Sequence, residues 1–215
     1  NIVCGSIGVD SGKILINNQD ITNMSEHKRL SKIGRVFQDP SLGTCPSMTI
    51  MENMALADNK GKLYGLGRGT NKARIEYYRE QLAQLGLGLE DKMDVKVGSL
   101  SGGQRQALTL LMATLKKPSL LLLDEHTAAL DPKTAKKVLD ITEKIVARDN
   151  LTTMMVTHNM KDAINIGNRL IMMSDGKIIY DVKGEEKKKL KVADLLQKFE
   201  EASGGEFAND RMLLS

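Results

Sequence analysis

The feature that most constrains this chain is a run of four leucines that stops at two carboxylates, Leu120-Leu121-Leu122-Leu123-Asp124-Glu125. A run this short and this apolar has no polar face to turn to water, so it reads as a strand buried on both sides. Such strands belong to parallel sheets covered by helices, and the neighbouring segments agree. Residues 101–115 read as a helix opened by a Ser101-x-x-Gln104 capping box. Asp131 followed by Pro132 starts another helix reaching about Arg148, with Ala135, Val138, Leu139, Ile141, Thr142 and Ile145 on its apolar face. Residues 153–157 form a strand and 160–166 a short helix. Strands at 170–173 and 178–182 flank Asp175-Gly176, a hairpin signal. Earlier, 13–16 and 33–37 are strand candidates, the first followed by an Asn17-Asn18 turn. This alternation predicts an α/β fold with a mostly parallel sheet.

Between about 40 and 98 the character changes to a Met-, Gly- and Lys-rich stretch with one clear helix over about 71–85, which reads as an inserted helical subdomain. Its Gly-rich section at 61–69 is expected to be a mobile loop. Beyond Val182 lies a tail at 183–215. It opens with a charge run, Glu185-Glu186-Lys187-Lys188-Lys189, expected to be solvated surface. The tail then carries Val192, Leu195, Leu196 and Phe199 on one face of an amphipathic helix.

At 215 residues the chain can bury one sizeable core. No stretch approaches the ~18 apolar residues of a membrane span. The net charge of +4 is mild, aromatics make up 3% and there is no Trp, so base stacking and a nucleic-acid partner are disfavoured. Cys4 and Cys45 have no metal or redox spacing and suit a reducing cytoplasm.

The chemistry follows from position. Parallel α/β sheets bind ligands at the carboxyl ends of their strands. A carboxylate there, Asp124, can hold Mg²⁺, and Glu125 can deprotonate an attacking water. Leu100-Ser101-Gly102-Gly103-Gln104-Arg105-Gln106 puts two glycines at a helix N-terminus, where backbone N–H groups and the helix dipole favour a phosphate. Each pattern alone is equally well a capped strand end or a capped helix.

Together and in order, these motifs resemble those of the ATP-binding-cassette (ABC) family, over about residues 1–182. Val36-Phe37-Gln38-Asp39-Pro40 resembles the Q-loop, residues 100–106 the signature motif, and residues 120–125 the Walker B strand. Ala129-Leu130-Asp131 resembles the D-loop and Val156-Thr157-His158 the switch histidine. The resemblance implies a P-loop ATPase core with an inserted α-helical subdomain, using ATP and Mg²⁺. It implies Glu125 as general base, His158 on the γ-phosphate, and Gln38 and Asp124 on Mg²⁺. Ser101, Gly102, Gly103 and Gln104 would meet ATP held by a second subunit, with Asp131 at the dimer interface. His126 departs from the family pattern, where Pro is common, and reads as a variant tolerated on a loop.

The phosphate-gripping loop Gly-x-x-x-x-Gly-Lys-Ser/Thr does not occur in the chain: Gly12-Lys13 is followed by Ile14, and Ile7 stands where the first Gly is needed. Asn1-Ile2-Val3-Cys4-Gly5 reads as the last turn of a helix. The family pattern then places the missing Lys about five residues ahead of Asn1, with the first strands and the adenine-stacking aromatic also upstream.

Three functions are compatible: the ATPase subunit of a membrane transporter, an ABC ATPase acting on nucleic acid or ribosomes, and a non-catalytic fragment. Only 63 positions separate Gln38 from Ser101, and one cassette is present, which favours the transporter. The resemblance implies a partner permease, a second ATPase subunit, and a place on the cytoplasmic face of the membrane. Residues 124–135 and the tail Asn209-Asp210-Arg211-Met212-Leu213-Leu214 are similar to bacterial uptake ATPases that work with a substrate-binding protein, some of them for amino acids.

Overall fold

The computed structural model describes residues 1–62 and 72–202. They form two compact units that divide between Val156 and Thr157.

The first unit opens with a turn in which Gly5, at φ +89°, closes a helix-like end. Ser6 N–H donates to Asn1 O at 3.2 Å and Gly5 N–H to Ile2 O at 3.1 Å, the paired bonds of a Schellman motif. Strands β1 (Leu15–Ile16) and β2 (Gln19–Asp20) then pair antiparallel. Their two-residue turn puts Asn17 and Asn18 at φ +50° and +61°, as a type I′ turn requires. Helix α1 (Glu26–Leu30) leads into β3 (Ile33–Val36), a 3₁₀ turn (Pro40–Gly43) and α2 (Ile50–Asp58). After a 3₁₀ turn at Lys72–Arg74 come α3 (Ile75–Ala83) and a 3₁₀ turn at Val97–Ser99. The unit finishes with α4 (Gly102–Thr114), β4 (Leu120–Asp124), α5 (Pro132–Asp149) and β5 (Thr153–Val156).

The leucine run is the middle strand of a parallel sheet ordered β3-β4-β5. Both its faces are packed, as its composition demanded. Leu121 and Leu123 enter the main core with Met54, Leu108, Leu111 and Ile141, while Leu120 and Leu122 pack on a smaller cluster built from Cys4, Ile16, Ile21 and Ile33.

Residues 40–98 hold one helix more than the sequence reading gave. Helix α2 is opened by a capping box of its own, Thr49 with Glu52. One ion pair and a hydrogen bond join it to the segment of α3: Asp58 accepts from Arg74, in the 3₁₀ turn before α3, at 2.9 and 3.0 Å and from the Tyr78 hydroxyl at 3.0 Å. The expected helix over 71–85 is realised as α3, preceded by the 3₁₀ turn. Of the expected loop at 61–69, all but Gly61 and Lys62 lies outside the described residues.

The second unit contains α6 (Met160–Asn165), an antiparallel hairpin of β6 (Arg169–Ser174) and β7 (Lys177–Lys183), then α7 (Gly184–Lys188) and α8 (Val192–Ala202). Leu195 of α8 is buried with Leu170 and Val182. The charge run is not all solvated: Lys187 is buried. Its ammonium donates to the carbonyls of Ile164, Ile166 and Gly167, the acceptors that the end of α6 leaves over. A cation at a helix C-terminus satisfies both the orphan carbonyls and the dipole.

Candidate functional site

The first unit brings Gln38, Asp124 and Glu125 to the carboxyl end of its parallel sheet. In register, Val36 lies beside Leu123, and Asp124 beside Val156. Gln38 therefore follows the end of β3, exposed, next to the half-buried Phe37. Asp124 closes β4 with its carboxylate about half exposed. Glu125 comes next, half-buried and in the left-handed region at φ +44°. Its N–H donates to Val156 O at 3.0 Å and its carbonyl accepts from Ala128 N–H at 3.0 Å.

Asp124 has a partner the sequence reading missed. Arg35 on β3 reaches its Oδ2 at 3.4 Å and also donates to Asn1 Oδ1 at 2.9 Å. The guanidinium lies over the Phe37 ring, 4.4 Å from its centroid, which holds it in place independently of the carboxylate. The signal was available: an arginine third in a short apolar strand needs a carboxylate or an aromatic face to be buried.

The turn from Glu125 to Asp131 is anchored inward. His126 is 2% exposed, and its Nε2 lies 3.1 Å from Thr142 Oγ1 on α5. Burial lowers its pKa to about 4, so the ring is neutral at physiological pH. His126 thus stands in a turn, as the expected loop position requires, with its ring turned into the fold. At the far end, the Asp131 carboxylate accepts from Thr134 N–H at 3.1 Å, capping α5, and these bonds hold its pKa down. Pro132 follows at the first helical position.

The start of α4 lies on the same unit and is built differently. Ser101 and Gly102 are exposed, Gln104 is half-buried and Gly103 is buried. Ser101 Oγ accepts from Gln104 N–H at 3.3 Å, and Gln104 Oε1 accepts from Ser101 N–H at 3.2 Å. The first intrahelical bond of the turn is Arg105 N–H to Ser101 O at 2.9 Å, so the amides of Gly102 and Gly103 precede the helical ladder. Gly103 also packs where nothing larger fits: a Cβ there would lie 2.2 Å from the Thr134 methyl on α5. Ser101, Gly103 and Gln104 line an open cavity of about 430 Å³ with Thr134, Lys137 and Val138. Further along α4, Gln106 is buried and donates to Phe37 O at 3.0 Å, a link to the segment holding Gln38 that the sequence reading did not single out.

His158 belongs to the second unit, exposed, two residues before α6. There Asn159 caps α6 by accepting from Lys161 and Asp162 N–H groups at 3.0 and 3.2 Å. Burial raises the pKa of Asp162, and the charge of His158 opposes the shift.

The family model for the ABC transporter matches residues 1–128. The chain belongs to the ABC transporter family. A tyrosine transport ATP-binding protein of Clostridioides difficile (strain R20291) is 51% identical over 202 residues, covering 94% of this chain and 80% of that protein. A methionine import ATP-binding protein, MetN 2, of Oenococcus oeni is 31% identical over 210 residues, 95% of this chain and 54% of its own length. The chain therefore spans about half of that methionine relative. A crystal structure of an ATP-binding cassette of an ABC transporter in its ADP conformation superposes with a TM-score of 0.76 at 25% identity, over 93% of this chain and 80% of that one. The ABC chain is thus an ATPase-family protein with the cassette fold, an ATP-binding subunit of a transporter. No helix among its described residues is long and apolar enough to cross a membrane.

Proposed function

We propose that this ABC chain hydrolyses ATP in a head-to-tail dimer and couples the cycle to solute uptake through a membrane permease, with an amino acid as the solute. The observation that carries the proposal is the Asp124-Glu125 pair at the carboxyl end of the central parallel strand, with Glu125 held in a left-handed turn.

Glu125 takes a proton from the attacking water. The water oxygen bonds to the γ-phosphorus, in line with the departing bridging oxygen, and ADP leaves with the electrons of the broken P–O bond. His158 contacts the γ-phosphate and the water. The amides at Gly102 and Gly103, with the Ser101 hydroxyl, meet the γ-phosphate of ATP bound by the other subunit. Asp131 lies at that interface. The Asp124 carboxylate suits Mg²⁺, with Gln38 as the second oxygen donor. Among the described residues no three His, Cys, Asp or Glu side chains cluster into a metal cage, which fits an ion bound mainly by phosphates and water. Bound there, Mg²⁺ would offset the phosphate charge.

Residues 1–182 act as the ATPase domain, with 40–98 as the helical subdomain that passes motion to the permease and 183–215 as a helical tail. The subunit works at the cytoplasmic face of the membrane beside a substrate-binding protein. Relatives named for tyrosine transport and methionine import support an amino acid as the solute class.

The test compares the 215-residue chain with a version carrying a Gly-x-x-x-x-Gly-Lys-Ser/Thr loop ahead of Asn1. Steady-state Mg-ATP hydrolysis is expected in the loop-bearing version, and Glu125→Gln is expected to slow it about 10²–10⁴-fold. Near-normal turnover in that variant would remove Glu125 as the base.

A further inference from the structure

Glu125 occupies a backbone region that strains a side-chain-bearing residue and survives only where the surroundings over-determine it. Its own N–H and carbonyl supply two restraints, on Val156 and Ala128. A third comes from the next residue. The His126 ring is buried against α5 with Nε2 3.1 Å from Thr142 Oγ1. The Thr142 hydroxyl has one proton, and it is given to Val138 O at 2.8 Å. Its oxygen must therefore accept from the ring, so His126 carries its proton on Nε2. The turn is thereby fastened to α5 eleven residues into the helix, well beyond the Asp131 cap.

We propose that His126, through its hydrogen bond to Thr142, is a positioning residue for Glu125, holding the base in its left-handed conformation at the head of β4. The proposal rests on the reading of Glu125 as the base. His126 touches no reacting atom; it sets where the carboxylate stands. Proline at this position could bend the chain but could not donate, so the latch requires a side chain that carries an N–H.

The experiment uses the loop-bearing ATPase. Thr142→Val keeps the shape and deletes the acceptor, and Thr142→Ser keeps the hydroxyl. Thr142→Val is expected to lower kcat about tenfold with KM for ATP unchanged, because binding groups are untouched and only the base is displaced. Thr142→Ser should restore kcat. In a Glu125→Gln background, Thr142→Val should have no further effect, since both act through one carboxylate. Ring ¹⁵N shifts of His126 should show a protonated Nε2 and a bare Nδ1 in the 215-residue chain. Wild-type kcat in Thr142→Val, a full additional loss on top of Glu125→Gln, or a protonated Nδ1 would each overturn the role of His126 while leaving Glu125 as base. Normal turnover in Glu125→Gln alone would overturn both.

Discussion

Helices α4 and α5 each begin at a capped turn bearing expected site residues, and the two turns are built in opposite ways. The turn before α5 is held from inside. Glu125 is fixed by Val156 and Ala128, His126 is buried on Thr142, and Asp131 closes the helix. The turn before α4 presents itself outward, with Ser101 and Gly102 exposed and the capping box spanning its own four residues. A group that moves a proton needs a fixed direction, which buried contacts supply. Amides that receive a phosphate from elsewhere need access, which a surface helix end supplies. Gly103 joins the two, because its lack of a side chain lets α4 lie against Thr134 at the start of α5.

The inward character of the first turn predicts an acid sensitivity. In the folded chain the His126 pKa is about 4, below the 6.5 of an exposed imidazole. Unfolding therefore takes up a proton between those values. The contribution to stability is complete above pH 6.5 and is lost as pH falls towards 4, up to the order of 3 kcal/mol. Urea unfolding across that window, without nucleotide or metal, should show a steeper acid loss for the wild type than for His126→Gln. Equal slopes would mean that the turn is not anchored by a buried neutral ring.

Gly103 gives a smaller effect that couples the two turns. Gly103→Ala forces Thr134 aside and should cost about 1–3 kcal/mol of stability. Adding Thr134→Ser, which can present its hydroxyl elsewhere and lacks the methyl, should recover much of that loss. If the pair is additive, the close approach is not what selects glycine.

The outward turn should matter least for folding. Ser101→Ala removes one cap bond and should cost about 1 kcal/mol in thermal unfolding. Its larger consequence is expected in ATP-driven self-association. A stability loss of several kcal/mol would place Ser101 in the core logic of the fold and blur the contrast with Glu125.

Much of this was legible in the sequence where the signal was local. The leucine run gave a strand packed on both faces, Ser101 and Gln104 gave their box, Asp131-Pro132 gave a helix start, and Asp175-Gly176 gave the hairpin turn, with both residues at positive φ. Helix α2 is harder to read although Thr49-x-x-Glu52 is the same kind of signal, because polar Asn53 and Asp58 lie on its buried side while Leu56 is exposed, which blurs the apolar period. The missing pieces of the site depend on distant partners. The role of Arg35 appears only when β3 is set beside β4, and that of His126 only when Thr142, sixteen residues on, faces back across α5. Lys187 was hidden in a charge run because its acceptors are the spare carbonyls of another helix end.

In the proposed dimer, the outward turn of one subunit completes the inward turn of another around ATP. Light scattering of the loop-bearing Glu125→Gln variant with Mg-ATP measures it directly. The mass should double on adding ATP and stay at that of one chain when Ser101→Arg is introduced as well. A mass that never doubles, or that doubles regardless of Ser101, would contradict the account.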